Sequence, residues 1–244
     1  MLQAFIASLI ASLATGLGAV ILLVFKRITM RMYDVMIGFS AGVMASAAVF
    51  SLIIPGIEQG GLWRVVIGFV AGALIIFAFD IRLPELFPKA LQENPDRLVR
   101  QGLLMAGTVA LHNIPEGFAI GAGYASGEPG LGLILAIAIA LQDVPEGTAV
   151  AAPLMAGGAN PHKSVLLATA SGFIEPFAAL AGYALVKYQA GFLPFGLGFA
   201  AGAMLYAVSH DLLPESHSHG YELPATWSFL IGFLLLLILH YTIG

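Results

Sequence analysis

The chain has no cysteine in its 244 residues, and charged residues make up only 10% of it, against the quarter usual in a soluble domain. Without cysteine there is no disulfide, no thiolate to hold a metal and no indication of redox compartment. No glycine-rich loop ending in Lys and Ser or Thr is present to cradle nucleotide phosphates, and no His-Glu-x-x-His pattern occurs. These absences argue against an ATP-driven pump and a zincin-type protease. A basic leader and a small-residue cleavage site are also missing around the first apolar run, so that run is expected to be a retained helix and not a signal peptide. The formal charge of −4 decides little, and no nucleic-acid partner is expected.

What the chain has in abundance is apolar sequence: 59% of residues are hydrophobic and the mean hydropathy is +0.93. Cut at charge clusters and Pro/Gly turns, the runs give eight spans near 3–25, 34–54, 62–80, 101–123, 130–152, 164–186, 194–213 and 225–243. Each is about 19 to 23 residues, the length a helix needs to cross about 30 Å of hydrocarbon. The runs are continuously apolar and do not alternate, which predicts helices and not a barrel. The expected fold is therefore an all-α membrane protein, one transmembrane domain over residues 1–244, with a lipid bilayer as its surroundings.

Lys26, Arg27, Arg31, Arg82, Lys89, Arg97, Arg100 and Lys163 fall in odd-to-even connections, whereas only Arg64 and Lys187 fall on the other side. The positive-inside bias then puts both termini outside the cytoplasm.

Inside this apolar background one motif is written twice, as Ala110-Leu111-His112-Asn113-Ile114-Pro115-Glu116-Gly117 and Ala140-Leu141-Gln142-Asp143-Val144-Pro145-Glu146-Gly147. The copies lie in consecutive, oppositely directed spans. A second echo links Gly38-Phe39-Ser40-Ala41-Gly42-Val43-Met44 with Gly198-Phe199-Ala200-Ala201-Gly202-Ala203-Met204. Inverted repeats of interrupted helices with polar groups where they meet are a layout of secondary transporters, although small residues alone also serve close helix packing.

Residues three and four apart share a helix face, so His112 and Asn113 point with Glu116, and Gln142 and Asp143 with Glu146. Pro115 and Pro145 kink their helices and free the carbonyls of Leu111 and Leu141; Pro176 does the same for Gly172 beside Glu175. Four carboxylates, Glu116, Asp143, Glu146 and Glu175, cannot all stay charged and unpaired in low dielectric, so protons or cations must accompany them. Two divalent ions would neutralise them. A nitrogen and oxygen donor set suits Zn²⁺, Cd²⁺, Fe²⁺ or Mn²⁺ better than Cu⁺, and imidazole disfavours Mg²⁺. The bland alternative is a self-satisfied hydrogen-bond cluster holding two helices together. Near the end of the seventh span stand His210, Asp211, Glu215, His217 and His219, readable as an exit route or as a solvated loop. Asp80, Arg82, Glu85 and Lys89 read as a solvated membrane edge, and His240 as interfacial with no role.

His112-Asn113-Ile114-Pro115-Glu116-Gly117 followed by Gln142-Asp143-Val144-Pro145-Glu146-Gly147 resembles the paired fourth and fifth helices of the ZIP (Zrt/Irt-like) metal transporters, particularly the bacterial GufA-like branch. The likeness extends over the whole chain, through Glu175-Pro176 and His210-Asp211-Leu212-Leu213-Pro214-Glu215. It implies import of a divalent metal, foremost zinc, through a binuclear site at mid-membrane, with the metal as cargo and no catalytic cofactor. His112, Glu116, Gln142 and Glu146 would hold one metal, with Met44 able to add a thioether. Asn113, Glu116, Asp143, Glu146 and Glu175 would hold or bridge the other. Ser51 and Glu58 match the family's entrance, and His210 and Asp211 lie on the exit. A bacterial inner membrane and a homodimer follow from the resemblance alone. Two departures stand out: the stretch from Asp80 to Arg100 has no histidine where many members carry a His-rich loop, and Gln142-Asp143 replaces a His-Asn pair of other branches. The rival readings are a metal-selective channel, an intramembrane metalloenzyme, and a proton-coupled exchanger using the carboxylates alone.

Overall fold

The computed structural model describes residues 1–25, 28–86, 96–189 and 191–243, and among them every regular element is helical. Lys26, Arg27 and Lys89 of the charge-bias argument lie outside the described residues. The long helices are α1 (Leu2–Phe25), α2 (Met30–Gly60), α3 (Leu62–Asp80), α4 (Arg97–Ala125), α5 (Leu131–Ala156), α6 (Pro161–Tyr188), α7 (Leu193–Ser216) and α8 (Glu222–Ile243). A single turn, Leu83–Leu86, follows α3.

Local chemistry sets the ends. Thr29 caps α2 by accepting from the Met32 amide at 3.2 Å, and Asp96 caps α4 by accepting from Leu98 at 2.7 Å and Val99 at 3.2 Å. Asn160 caps α6 through the His162 and Lys163 amides, with Pro161 in the first turn, where its missing N–H costs nothing. These caps carry α2 and α4 beyond their apolar runs, so both begin four residues earlier than hydropathy alone suggests. Gly61, at φ 83°, turns the chain between α2 and α3.

Seven of the helices are long and apolar enough to cross a membrane. The exception among the long ones is α4, whose middle carries His112, Asn113 and Glu116. Pro115 and Pro145 sit inside α4 and α5 without ending them, whereas α6 is interrupted at Phe173 and Ile174, dividing it into Pro161–Gly172 and Glu175–Tyr188. The sixth span is thus two half-helices, not one, and the break falls beside the Gly172 carbonyl that Pro176 cannot bond. Two stretches of π-helix, Ala47–Ile53 in α2 and Val208–Leu212 in α7, have no precursor in the sequence reading. They follow Met44 and Met204 at equivalent places in the second echo, and Pro55 and Pro214 come just after them.

Two groups of helices result. In one, α2 packs on α8 and α3 on α7; in the other, α5 packs on α1 and α4, and α4 on α6. The glycines of the second echo explain the first group. A Cβ at Gly42 would lie 2.0 Å from the Phe229 carbonyl oxygen, and one at Gly202 2.0 Å from that of Phe69. Backbones therefore touch at matching points on α2/α8 and α7/α3, as small residues permit. The groups meet along α2–α5 and α4–α7. On the outside, Trp63, Ile67, Val70 and Leu74 of α3 and Trp227, Ile231, Leu234 and Ile238 of α8 recur at helical spacing as exposed apolar stripes. Faces of that extent suit lipid and not water.

Candidate metal centre

The two repeat motifs meet where α4 and α5 pack, and the half-helix start of α6 closes on them. Glu116, Asp143 and Glu146 are buried, and one oxygen from each lies within 4.8 Å of the others. The amide of Gln142 donates to Glu116 Oε1 in a short hydrogen bond. Glu175, fully buried at the first turn of the second half of α6, stands beside Asp143, Glu116 and Glu146. His112 is buried one turn before Glu116 on α4. Asn113 donates its amide nitrogen to the Ser171 carbonyl at 3.0 Å, which leaves its carbonyl oxygen uncommitted.

The decisive property of the cluster is what its oxygens lack. Asn113 Oδ1, Glu116 Oε2, Gln142 Oε1, Asp143 Oδ1 and Oδ2, Glu146 Oε2 and Glu175 Oε1 and Oε2 are all buried and accept no well-formed hydrogen bond among the described residues, although the Thr15 hydroxyl stands beside Asp143 and the Asp143 and Glu175 carboxyls face each other. Buried polar atoms are almost always satisfied, and an unmet one costs free energy. Acceptors gathered in this way can be satisfied by water, by protons shared between carboxyls or by cations.

The glycines that end the motifs bring the helices together. A Cβ at Gly147 would lie 1.7 Å from the Thr15 carbonyl oxygen of α1, and one at Gly117 2.3 Å from the Glu175 carbonyl oxygen. Each Pro-Glu-Gly thus presents a carboxylate and then removes the side chain that would keep the next helix away.

Met44 is fully buried in the apolar core of α2. Ser51 is buried and pairs with His240 Nδ1 at 3.1 Å, so His240 is a partner of the expected entrance and not an idle interfacial residue. Glu58 is exposed near the end of α2. Toward the other side, Asp211 links His112 Nε2 at 3.2 Å to His210 Nδ1 at 3.0 Å. His210 Nδ1 also lies 3.2 Å from Asp80 Oδ2, which accepts from the Tyr206 hydroxyl at 3.4 Å. Asp80 therefore belongs to a polar track from His112 to the 55% exposed His210, not to a solvated edge; Arg82 and Glu85 are exposed as expected. The loop histidines are engaged locally. His219 meets the fully buried Asp34 at 2.7 Å and packs edge-on to Tyr33, and His217 meets Thr226 at 3.1 Å.

Sequence reasoning missed Asp80, His240 and Ser40, whose hydroxyl reaches Glu146 at 3.2 Å. Their partners lie on other helices, and no spacing along the chain marks them.

Fold and composition together define an integral membrane protein with a cluster of carboxylic side chains buried in its interior. Residues 89–240 match the family described as ZIP Zinc transporter, and the chain belongs to that family. It is 37% identical to the zinc transporter GufA of Myxococcus xanthus, with 98% of each chain covered. It is 40% identical to the zinc transporter ZIPB of Bordetella bronchiseptica, over 95% of this chain and 78% of that one. Human zinc transporter ZIP11 is 28% identical over 94% of both.

Proposed function

We propose that this chain imports divalent transition-metal cations, zinc foremost, toward the cytoplasm through two adjacent metal positions. The single observation that carries this reading is the convergence of Glu116, Asp143 and Glu146, each buried with an oxygen within 4.8 Å of the others, beside the buried Glu175. The first position takes His112, Glu116, Gln142 and Glu146, with Met44 able to approach; the second takes Asn113, Glu116, Asp143, Glu146 and Glu175. Zinc accepts such nitrogen and oxygen ligands at about 2.0 to 2.2 Å. Cd²⁺, Fe²⁺ and Mn²⁺ are the competing cargoes.

The cation sheds water at Glu58 and Ser51, exchanges it for ligands at the centre, and leaves past Asp211 and His210. All eight long helices cross the bilayer, α4 being sheltered by its neighbours, with both termini outside the cytoplasm in a bacterial inner membrane and the protein working as a homodimer. Rocking of the α1/α4/α5/α6 group against the other four exposes the site to each side in turn.

Metal uptake into proteoliposomes offered Zn²⁺, Cd²⁺, Fe²⁺ and Mn²⁺ tests this reading. His112→Ala should lower zinc uptake about tenfold or more, the scale of losing one ligand contact near 1.4 kcal/mol. Unchanged uptake of every metal in this variant would remove imidazole from the site. Ligands must shed protons to bind a metal, so uptake should fall as external pH is lowered through the range where carboxylates protonate. A flux titration that rises toward acid pH would contradict the carboxylate site.

A further inference from the structure

Ser40 stands on α2 one helical turn before Met44 and is fully buried. Its hydroxyl faces two acceptors on α5: Glu146 Oε1 at 3.2 Å and the backbone carbonyl of Gln142 at 3.3 Å. A serine hydroxyl carries one proton and can donate to only one of them at a time. We propose that Ser40 is a positioning residue of the metal centre, holding the Glu146 carboxylate through Oε1 while Oε2 engages the cation. The proposal rests on the transport reading above.

The other oxygen of the carboxylate supports this role. With Oε1 held by Ser40, Glu146 Oε2 is the oxygen left without a donor, so the hydroxyl fixes which edge of the carboxylate is free for a ligand bond.

Ser40 also belongs to the α2/α3/α7/α8 group, while both of its acceptors belong to the other. Among the described residues the remaining side-chain polar ties between the groups are His112 with Asp211 and Gln59 with Glu128. The residue that orients a ligand is thus also a polar tie across the boundary along which the groups would move.

The test compares Ser40→Val with Ser40→Thr, which share a shape and differ by the hydroxyl. Zinc uptake is measured against zinc concentration in proteoliposomes, with wild type and Glu146→Ala alongside. Ser40→Val should raise KM about tenfold while Vmax stays within about twofold, and Ser40→Thr should restore KM to within about twofold of wild type. Equal KM values in all three, or the same defect in Thr and Val, would overturn the positioning role. Wild type failing to carry zinc, or Glu146→Ala carrying it as well as wild type, would instead overturn the transport reading. Equilibrium zinc binding to the solubilised protein makes the Val/Thr comparison independently of flux.

Discussion

Glu146→Ala is expected to reduce zinc uptake to background, a loss of about 100-fold or more, with each factor of ten corresponding to about 1.4 kcal/mol. Glu146 lies within 4.8 Å of Glu116 and Asp143 and accepts from Ser40. In the proposed arrangement it serves both metals, so its removal damages two coordination shells at once. The same change should not harm folding, because it deletes a buried carboxylate that has an unmet oxygen and therefore a desolvation cost. Glu146→Gln sharpens the comparison by keeping the shape and discarding the charge. Uptake normalised to reconstituted protein is the measurement, and substantial zinc transport by the alanine variant would refute the binuclear site.

The second large effect is structural. Gly147→Ala puts a methyl group 1.7 Å from the Thr15 carbonyl oxygen, far inside contact distance, and the obstacle is backbone that cannot rotate aside. The same interface repeats the demand at Gly18, whose Cβ would meet the Val144 carbonyl oxygen at 1.9 Å. Helices α1 and α5 must separate to admit the methyl group. Overpacking of this kind costs about 1–3 kcal/mol, which for a chain of this size lowers the unfolding midpoint by about 5 °C. Because Gly147 follows Glu146 directly, separation of the helices also displaces a proposed ligand, so uptake should fall along with stability. Thermal unfolding in detergent, followed by size-exclusion fluorescence, reads the first effect and vesicle flux the second. A variant as stable as wild type would mean that α1 and α5 do not pack backbone to backbone there.

The helical class and seven of the eight expected spans were legible because hydropathy is a local signal that survives without tertiary context. The candidate ligands were legible for a related reason: His112, Glu116, Asp143 and Glu146 are costly in apolar sequence, and their repetition thirty residues later gives one motif two independent appearances. What escaped depends on distance in space. Asp80 sits at the end of an apolar helix and looks like an ordinary boundary charge until α7 brings Tyr206 and His210 beside it. Ser40 was hidden in a run of small residues that reads as packing, and its acceptor carboxylate is 106 positions away. The glycines after Glu116 and Glu146 were visible as part of the motif, but their purpose appears only when the neighbouring carbonyls are placed. Hydropathy also carries no information on hydrogen-bond register within a helix, so neither π stretch could be foreseen.

Those two stretches affect how side chains point. A helix bonded i to i+5 turns less per residue than one with about 3.6 residues per turn, so directions drift steadily out of phase across it. A helical wheel drawn forward from Met44 would therefore misassign the azimuth of Glu58, and one drawn from Met204 that of Glu215. Because Ala47–Ile53 and Val208–Leu212 are matching places in the second sequence echo, the phase slip comes on one limb toward the proposed mouth and on the other toward the proposed outlet.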